Sequence, residues 1–395
     1  MAIQTRPFLV LYVAWHPAFA AGKALAKKLY DQYRRELYGN VTGGAGLSVI
    51  YRNAVDPATS APLRIDLAGG ETTAIVLLVD ENVASDQHYL NWARNTMEQA
   101  DAAGLGARVF PVAMDGALTR LGMAEQAVRW DKWNGMDDIS RLQRLTTDLT
   151  YQFCRMLRSY LEGLLRPEVD EAGLEQYLKK VQIFLSHSKH DDDGERIAKE
   201  IRHQIFEGDG LASFFDVRDI PTGLRFDKVL LQQVKVSAVV AIHTDSFSSR
   251  EWCRREIIEA KRWNVPLVVA DCISDTDERG FPYLGNVPVV RMDPARIDRI
   301  DQVVARLLDE VLKDFLWRCR IQVVGVAAGG DVAFLPRAPE LISLAGFSEK
   351  VGEQIVIVYP DPPLGTEEQR LFEKIAPRYR LRSLTEWLAT LEDAN

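Results

Sequence analysis

Residue types able to do chemistry gather at three places in the sequence. The first is Ser186-His187-Ser188-Lys189-His190, running on into Asp191-Asp192-Asp193. The second begins at Asp216 and continues as Arg218-Asp219-Ile220-Pro221-Thr222-Gly223. The third has Ser246 to Ser249 and then Trp252-Cys253-Arg254-Arg255-Glu256. Hydroxyls, carboxylates, cations and flat aromatic faces are the groups that bind and cleave polar small molecules. Other chemistries find little here. No Gly-x-Gly-x-x-Gly or Walker-type loop occurs, and Gly325 with Gly329-Gly330 is too sparse for a phosphate cradle. Cys154, Cys253, Cys272 and Cys319 form no Cys-x-x-Cys pair and no metal-ligand spacing with histidine, so they read as separate reduced thiols. His190 beside three aspartates looks like a metal cluster only superficially. Acids just before a helix starting at Gly194 are favourable as caps on their own account, and no metal is expected.

Short apolar runs alternating with helical patterns must position these groups, which predicts parallel α/β sheets. Strands are expected at Phe8–Ala14, Leu47–Tyr51, Ala74–Val79 and Ala107–Val112, with helices at Ala20–Tyr38, Gln87–Ala103 and Asp138–Leu165. Beyond Pro167, strands are expected at Val181–Ser186, Ala212–Phe215, Ala238–His243 and Leu267–Ala270. Helices are expected at Gly194–Phe206, Phe226–Val236, Glu251–Trp263 and Ile297–Phe315. The tail predicts strands near Ile321–Val326 and Gln354–Tyr359, then helices at Glu367–Ala376 and Leu384–Leu391. It could be a small α/β piece or an extension of a neighbouring sheet. The domains expected are residues 1–165, 178–316 and 317–395.

A length of 395 residues suits two or three domains, and 26% charged residues is ordinary for a soluble globular chain. A net charge of −8 gives no support to generic nucleic-acid or anionic-membrane binding. Phe8–Trp15 has the look of a signal peptide, but its basic flank is only Arg6 and it leads into an amphipathic helix, so a first strand is expected. No stretch approaches 18 uncharged apolar residues, so no membrane span is expected. A cytoplasmic location follows as the expectation.

The three polar stretches together resemble the boxes of the Toll/interleukin receptor (TIR) family, in the family's order, over about one third of the chain. Phe184-Leu185-Ser186-His187 resembles the first box. Phe214-Phe215-Asp216 with Arg218–Gly223 resembles the second strand and its "BB" loop. Ser249, Trp252, Cys253 and Glu256 in register resemble the specific third box. The resemblance implies a flavodoxin-like, doubly wound fold. It also implies cleavage of NAD⁺, as substrate rather than cofactor, to nicotinamide and ADP-ribose or a cyclic isomer, in bacterial antiphage immunity. Glu256 would be the catalytic carboxylate. Breaking the nicotinamide–ribose bond develops positive charge on the ribose, which a nearby carboxylate can stabilise. Sites in open α/β sheets lie at the carboxyl ends of the strands. That brings in Ser186, His187, Ser188, Asp216, Ser246 and Ser249, with Trp252 and Trp263 as aromatic faces and Arg218 or Lys189 for the diphosphate. Trp252 and Cys253 carry a packing alternative, since the family position is usually buried. Glu256 on a solvated helix face is the bland alternative. The resemblance further implies self-association through Arg218–Gly223 and an activating partner not named by the sequence.

The first two units also look like copies. Gly22–Leu29 lines up with Gly194–Ile201, and Ile75–Ser85 with Val239–Ser249, given one insertion of about eight residues after the first helix of the first copy. Glu256 then falls opposite Trp92, Asp216 opposite Arg52 and Ser186 opposite Ala14. The first copy is expected to be a degenerate TIR-like domain used for assembly, docking or sensing. A shift of a few residues would bring Glu98 into play instead, and a nucleotide-sugar or deoxyribosyltransferase-like layout is a third possibility. The chain as a whole has two non-enzyme alternatives, a non-catalytic TIR scaffold and a host-directed effector acting by TIR–TIR interaction.

Overall fold

The structure is a computed structural model that describes residues 6–34, 46–58, 60–121, 127–167, 181–207, 215–217, 237–293, 299–325, 332–347 and 354–392. The chain divides into two compact units, Ile3–Leu178 and Lys179–Asn395. The expected helix Phe226–Val236, the loop Arg218–Gly223 and Gly329-Gly330 lie outside the described residues.

In the N-terminal unit the elements are β1 (Leu9–Ala14), α1 (Gly22–Tyr33), β2 (Ser48–Arg52), β3 (Thr72–Val79), α2 (Glu81–Ser85), α3 (Gln87–Ala102), β4 (Ala107–Ala113), α4 (Leu118–Leu121) and α5 (Asp138–Leu165). The sheet order is β2-β1-β3-β4, all parallel. Every residue of β1 and β3 is buried, as strands covered by helices on both faces must be. Strand β2 lies at the edge and is only half-buried. Asp86 caps α3 and Asp137 caps α5 by accepting amide hydrogens of the first turn.

The C-terminal unit continues with β5 (Val181–His187), α6 (Asp192–Glu207), β6 (Phe215–Val217), β7 (Ser237–His243), α7 (Glu251–Arg262), β8 (Leu267–Asp271), β9 (Val289–Arg291) and α8 (Ile300–Val324). Its sheet, also all parallel, runs β6-β5-β7-β8-β9. Both sheets are doubly wound and flavodoxin-like: the chain steps to one side of the first strand, then to the other. This opens a crevice above the carboxyl ends of β1 and β3 in one unit, and of β5 and β7 in the other.

Strand register relates the two units. Ala14 pairs with Leu77, and Ser186 pairs with Ala241, the residues that the repeat places opposite them. Helices α3 and α7 start at matched residues, Gln87 and Glu251, so Trp92 and Glu256 occupy the same helical position. One expectation needs correction. Val10 pairs with Ser48 and Gln182 with Asp216, so Asp216 corresponds to Ser48 rather than Arg52. The extra length of the first copy is therefore split between the two sides of the second strand, not confined to one loop.

The tail does not extend the main sheet. Strands β10 (Val332–Phe334), β11 (Ile355–Tyr359) and β12 (Tyr379–Ser383) form a separate parallel sheet, with α9 (Leu341–Leu344), α10 (Thr366–Ile375) and α11 (Leu384–Glu392). The strand expected at Ile321–Val326 is instead, as far as Val324, the last turn of α8. Trp317, Ile321 and Val324 recur at helical spacing and pack with Val358, Leu384 and Trp387 on the small sheet. Burial of that stripe overrides the β-propensity of Ile-Gln-Val-Val. The boundary expected at 316/317 thus falls inside an unbroken helix, within one compact unit.

The glycine of the matched helix starts has a packing reason in each unit. A Cβ on Gly194 would lie 2.7 Å from Asp191 Oδ1 and 2.8 Å from the Ser188 carbonyl oxygen; on Gly22 it would strike the Trp15 indole at 2.2 Å. Gly194→Ala should therefore destabilise the chain by about 1–3 kcal/mol, while Gly280→Ala, with nothing within 4 Å, should be close to neutral. Urea unfolding of the full chain checks this; equal midpoints for the two variants would refute it.

Candidate active site

The crevice of the C-terminal unit is built by two loops, one leaving β5 and one leaving β7. Asp191 joins them. Its Oδ1 accepts from the Gly194 amide at 2.7 Å, which caps α6. Its Oδ2 accepts from the Thr244 hydroxyl at 2.7 Å and from Ser246. The Ser246 hydroxyl is also 2.7 Å from that of Ser188, which accepts from the His190 amide at 3.2 Å. Asp191 is thus more than the solvated cap expected from the sequence. Behind the β7 loop, His243 Nε2 lies 3.0 Å from Ser248 Oγ and 3.3 Å from Asp277 Oδ2. Ser248 is fully buried and also donates to Asp277, so this trio ties loops together rather than presenting a nucleophile.

Glu256 projects from α7 onto the end of β5, where Ser186 Oγ donates a hydrogen bond to its Oε2. Surrounding protein strips water from the carboxyl and pushes it up to about 7, opposed by the Ser186 hydrogen bond and by the positive charge of Lys189. A carboxyl so placed exists in both protonation states near neutral pH, which suits a group asked to face developing positive charge.

The other expected site residues separate into near and far. Trp252, one helical turn before Glu256, is 53% exposed with the Arg255 guanidinium 4.8 Å above its ring, so the packing alternative fails for it. It holds for Cys253, which is buried with its thiol pushed up to about 12 by desolvation and by the Glu256 charge. Trp263 is exposed at the far end of the helix, its indole donating to Glu259. His187 sits half-buried with Nδ1 3.1 Å from the Leu185 carbonyl. Ser188 is wholly buried, so it shapes the loop and does not face a ligand. Ser249 likewise donates to the Ser246 carbonyl at 2.8 Å. Asp216, expected at the carboxyl end of the second strand, lies in β6 and pairs with Gln182, four residues before Ser186. At about 3.3 Å per residue that is roughly 13 Å along the sheet. Arg218 lies outside the described residues. The described residues hold no cluster able to bind a metal.

The TIR domain family model matches residues 183–307. The chain carries a TIR domain. The match begins in β5 and ends in α8, spanning both crevice loops and the helix of Glu256. No curated protein matches the chain. Among solved structures, one titled as a crystal structure analysis of the glycotransferase of kitacinnamycin is similar at 11% identity, over 81% of this chain and 98% of that one. Its TM-score is 0.19, which supports no argument. No helix among the described residues is long and apolar enough to cross a membrane.

The N-terminal unit fills the corresponding crevice differently. Ala14 and Trp92 stand where the TIR domain has Ser186 and Glu256. Trp92 is half-buried against Tyr89, whose ring lies 4.4 Å from that of His16, and His16 Nε2 is 3.4 Å from Asp86. Glu98, the other acid considered, lies exposed on α3, further along the helix than Trp92.

A carboxyl near 7 when folded and at its ordinary 4.5 when unfolded binds its proton more tightly in the folded chain. Stability from this group is present below about pH 4.5 and is lost as the pH rises through about 7. Glu256→Gln removes the titration. Its unfolding free energy should match wild type near pH 4.5 and exceed it by about 1–2 kcal/mol at pH 8, after discount for solvent screening. Urea titrations at the two pH values test this; an unchanged difference would sink it.

Proposed function

We propose that the TIR domain cleaves the nicotinamide–ribose bond of NAD⁺, with Glu256 as the catalytic carboxylate. The observation that carries this reading is the desolvated Glu256 carboxyl, hydrogen-bonded by Ser186 at the strand-end crevice. In the reaction the C1′–N1 bond breaks and its electron pair leaves with nicotinamide, which departs neutral. Positive charge develops on C1′ and the ring oxygen, and ionised Glu256 stabilises it. Water then adds to C1′ and releases a proton, giving ADP-ribose; attack by the substrate's own adenine would give a cyclic isomer. The exposed face of Trp252 offers a platform for a planar ring, and Lys189 offers charge to the diphosphate.

Catalysis is proposed to depend on assembly through Arg218–Gly223 and on an activating partner, as a cytoplasmic defence against phage. The N-terminal unit, with Trp92 in place of the acid, is proposed to assemble or sense rather than to catalyse. The division that goes with this is a degenerate unit at 1–165 and a TIR domain from 178 that shares α8 with the tail, whose own sheet begins at β10.

Nicotinamide release by the purified chain, under conditions that drive assembly, is the test. Glu256→Gln should lower turnover at least about 100-fold, and Glu98→Gln should leave it near wild type. Because the ionised form acts, kcat should rise with pH through an apparent value near 7. The Ser186 hydrogen bond lowers that value, so Ser186→Ala should move the rising limb to higher pH. A well-folded chain without turnover under any assembling condition would overturn the enzyme reading.

A further inference from the structure

We propose that the segment Arg337–Ser343, which leads from β10 into α9, is a positioning clamp for helix α7 and, through it, for Glu256; this rests on the reading of Glu256 above. Helix α7 has twelve residues and lacks a side-chain cap at its start, where Arg250 stands. A helix that short gains its stability from what it packs against. Cys253, Ile257 and Ala260 pack its inner face into the core, and its far end is held by polar contacts. Lys261, only 8% exposed, donates to both carboxylate oxygens of Glu340, at 3.0 and 2.8 Å, and to the Gly285 carbonyl at 2.6 Å. All three ammonium hydrogens are thereby used.

Arg337 completes the clamp. Its Nη1 donates to the carbonyls of Asn264 and Val265, at 2.9 and 2.8 Å, just beyond the helix. Asn264 adopts a φ of 53°, the left-handed turn that ends a helix. The Arg337 Nε is 3.9 Å from buried Glu310 on α8, which also pairs with Arg306 and Lys313. Glu340 is itself fixed at the start of α9 by reciprocal bonds with Ser343. In the cleft between Lys261, Arg337 and Glu340 the Lys261 ammonium and the Arg337 Nη1 spend their hydrogens on protein acceptors, as a fastening does. Glu256 precedes Lys261 by five residues, about 7.5 Å along the axis. Release of the far end would let the carboxyl drift from Ser186 and from the bond to be broken.

The test uses the full chain with Lys261→Met and Glu340→Leu, singly and together. Glu340→Leu strands the buried Lys261 ammonium and Lys261→Met strands the half-buried Glu340 carboxylate, whereas the double change replaces the pair by apolar packing. Each single variant should raise amide exchange over residues 253–258 about 10-fold and lower kcat for NAD⁺ about 10-fold, with KM changed less than about 3-fold. The double variant should restore both. Unchanged exchange in the single variants, a double variant no better than either, or an effect on KM alone would overturn the clamp. Should the single variants fail to fold, Glu340→Gln replaces them: exchange raised about 3-fold supports the clamp, and no change refutes it. If the wild-type chain releases no nicotinamide, the enzyme reading fails, and the exchange measurements still decide the clamp.

Discussion

A carboxyl kept from water must be given a partner, and in the C-terminal unit that requirement shapes everything near Glu256. Ser186 supplies the hydrogen bond from the end of β5, and α7 supplies the side chain from across the crevice. The two meet only if the loop after β5 and the loop after β7 hold a fixed separation. Asp191 fixes it by binding a helix amide on one side and two hydroxyls on the other. Gly194 is required because nothing larger fits between Asp191 and the Ser188 carbonyl.

The N-terminal unit shows the same scaffold without that requirement. Its strand register and helix start agree with those of the TIR domain, yet the pair at the crevice is Ala14 and Trp92. In place of the glutamate stands an aromatic residue, with Trp92 on Tyr89 and Tyr89 on His16, which meets Asp86. One fold thus carries a Ser–Glu pair at the strand end in one unit and an Ala–Trp pair in the other. Fold and chemistry are separable, as they are in doubly wound sheets generally.

The tail changes the picture of the TIR domain as a self-contained body. Helix α8 runs on through Val324 to pack its Trp317, Ile321 and Val324 stripe on the small sheet. The Lys261–Glu340 pair and the Arg337 bonds fasten that same piece to the end of α7. These contacts join residues some 70 to 80 positions apart in the chain.

Much was legible in the residues alone. Apolar runs gave the buried strands, because strands covered on both faces must be apolar along their length. Local spacing gave α5 and α7, and the Ser249–Glu256 pattern pointed to the glutamate whose carboxyl meets Ser186. Other features depended on pairing between distant segments. Nothing near Asp216 says that it pairs with Gln182 and stands away from Ser186, since register is set by the partner strand. Nothing near Ile321 says helix, since its β-branched neighbours point the other way until the small sheet covers them. Trp252 faces water although its family position suggested burial, because α7 turns Cys253 and Ile257 inward. The sequence by itself determined most of the elements and set a glutamate in α7 behind the Ser249–Trp252 pattern. Only the tertiary structure decided which groups meet that acid and what holds its helix, because those depend on strand register, burial and hydrogen bonds between residues far apart in the chain.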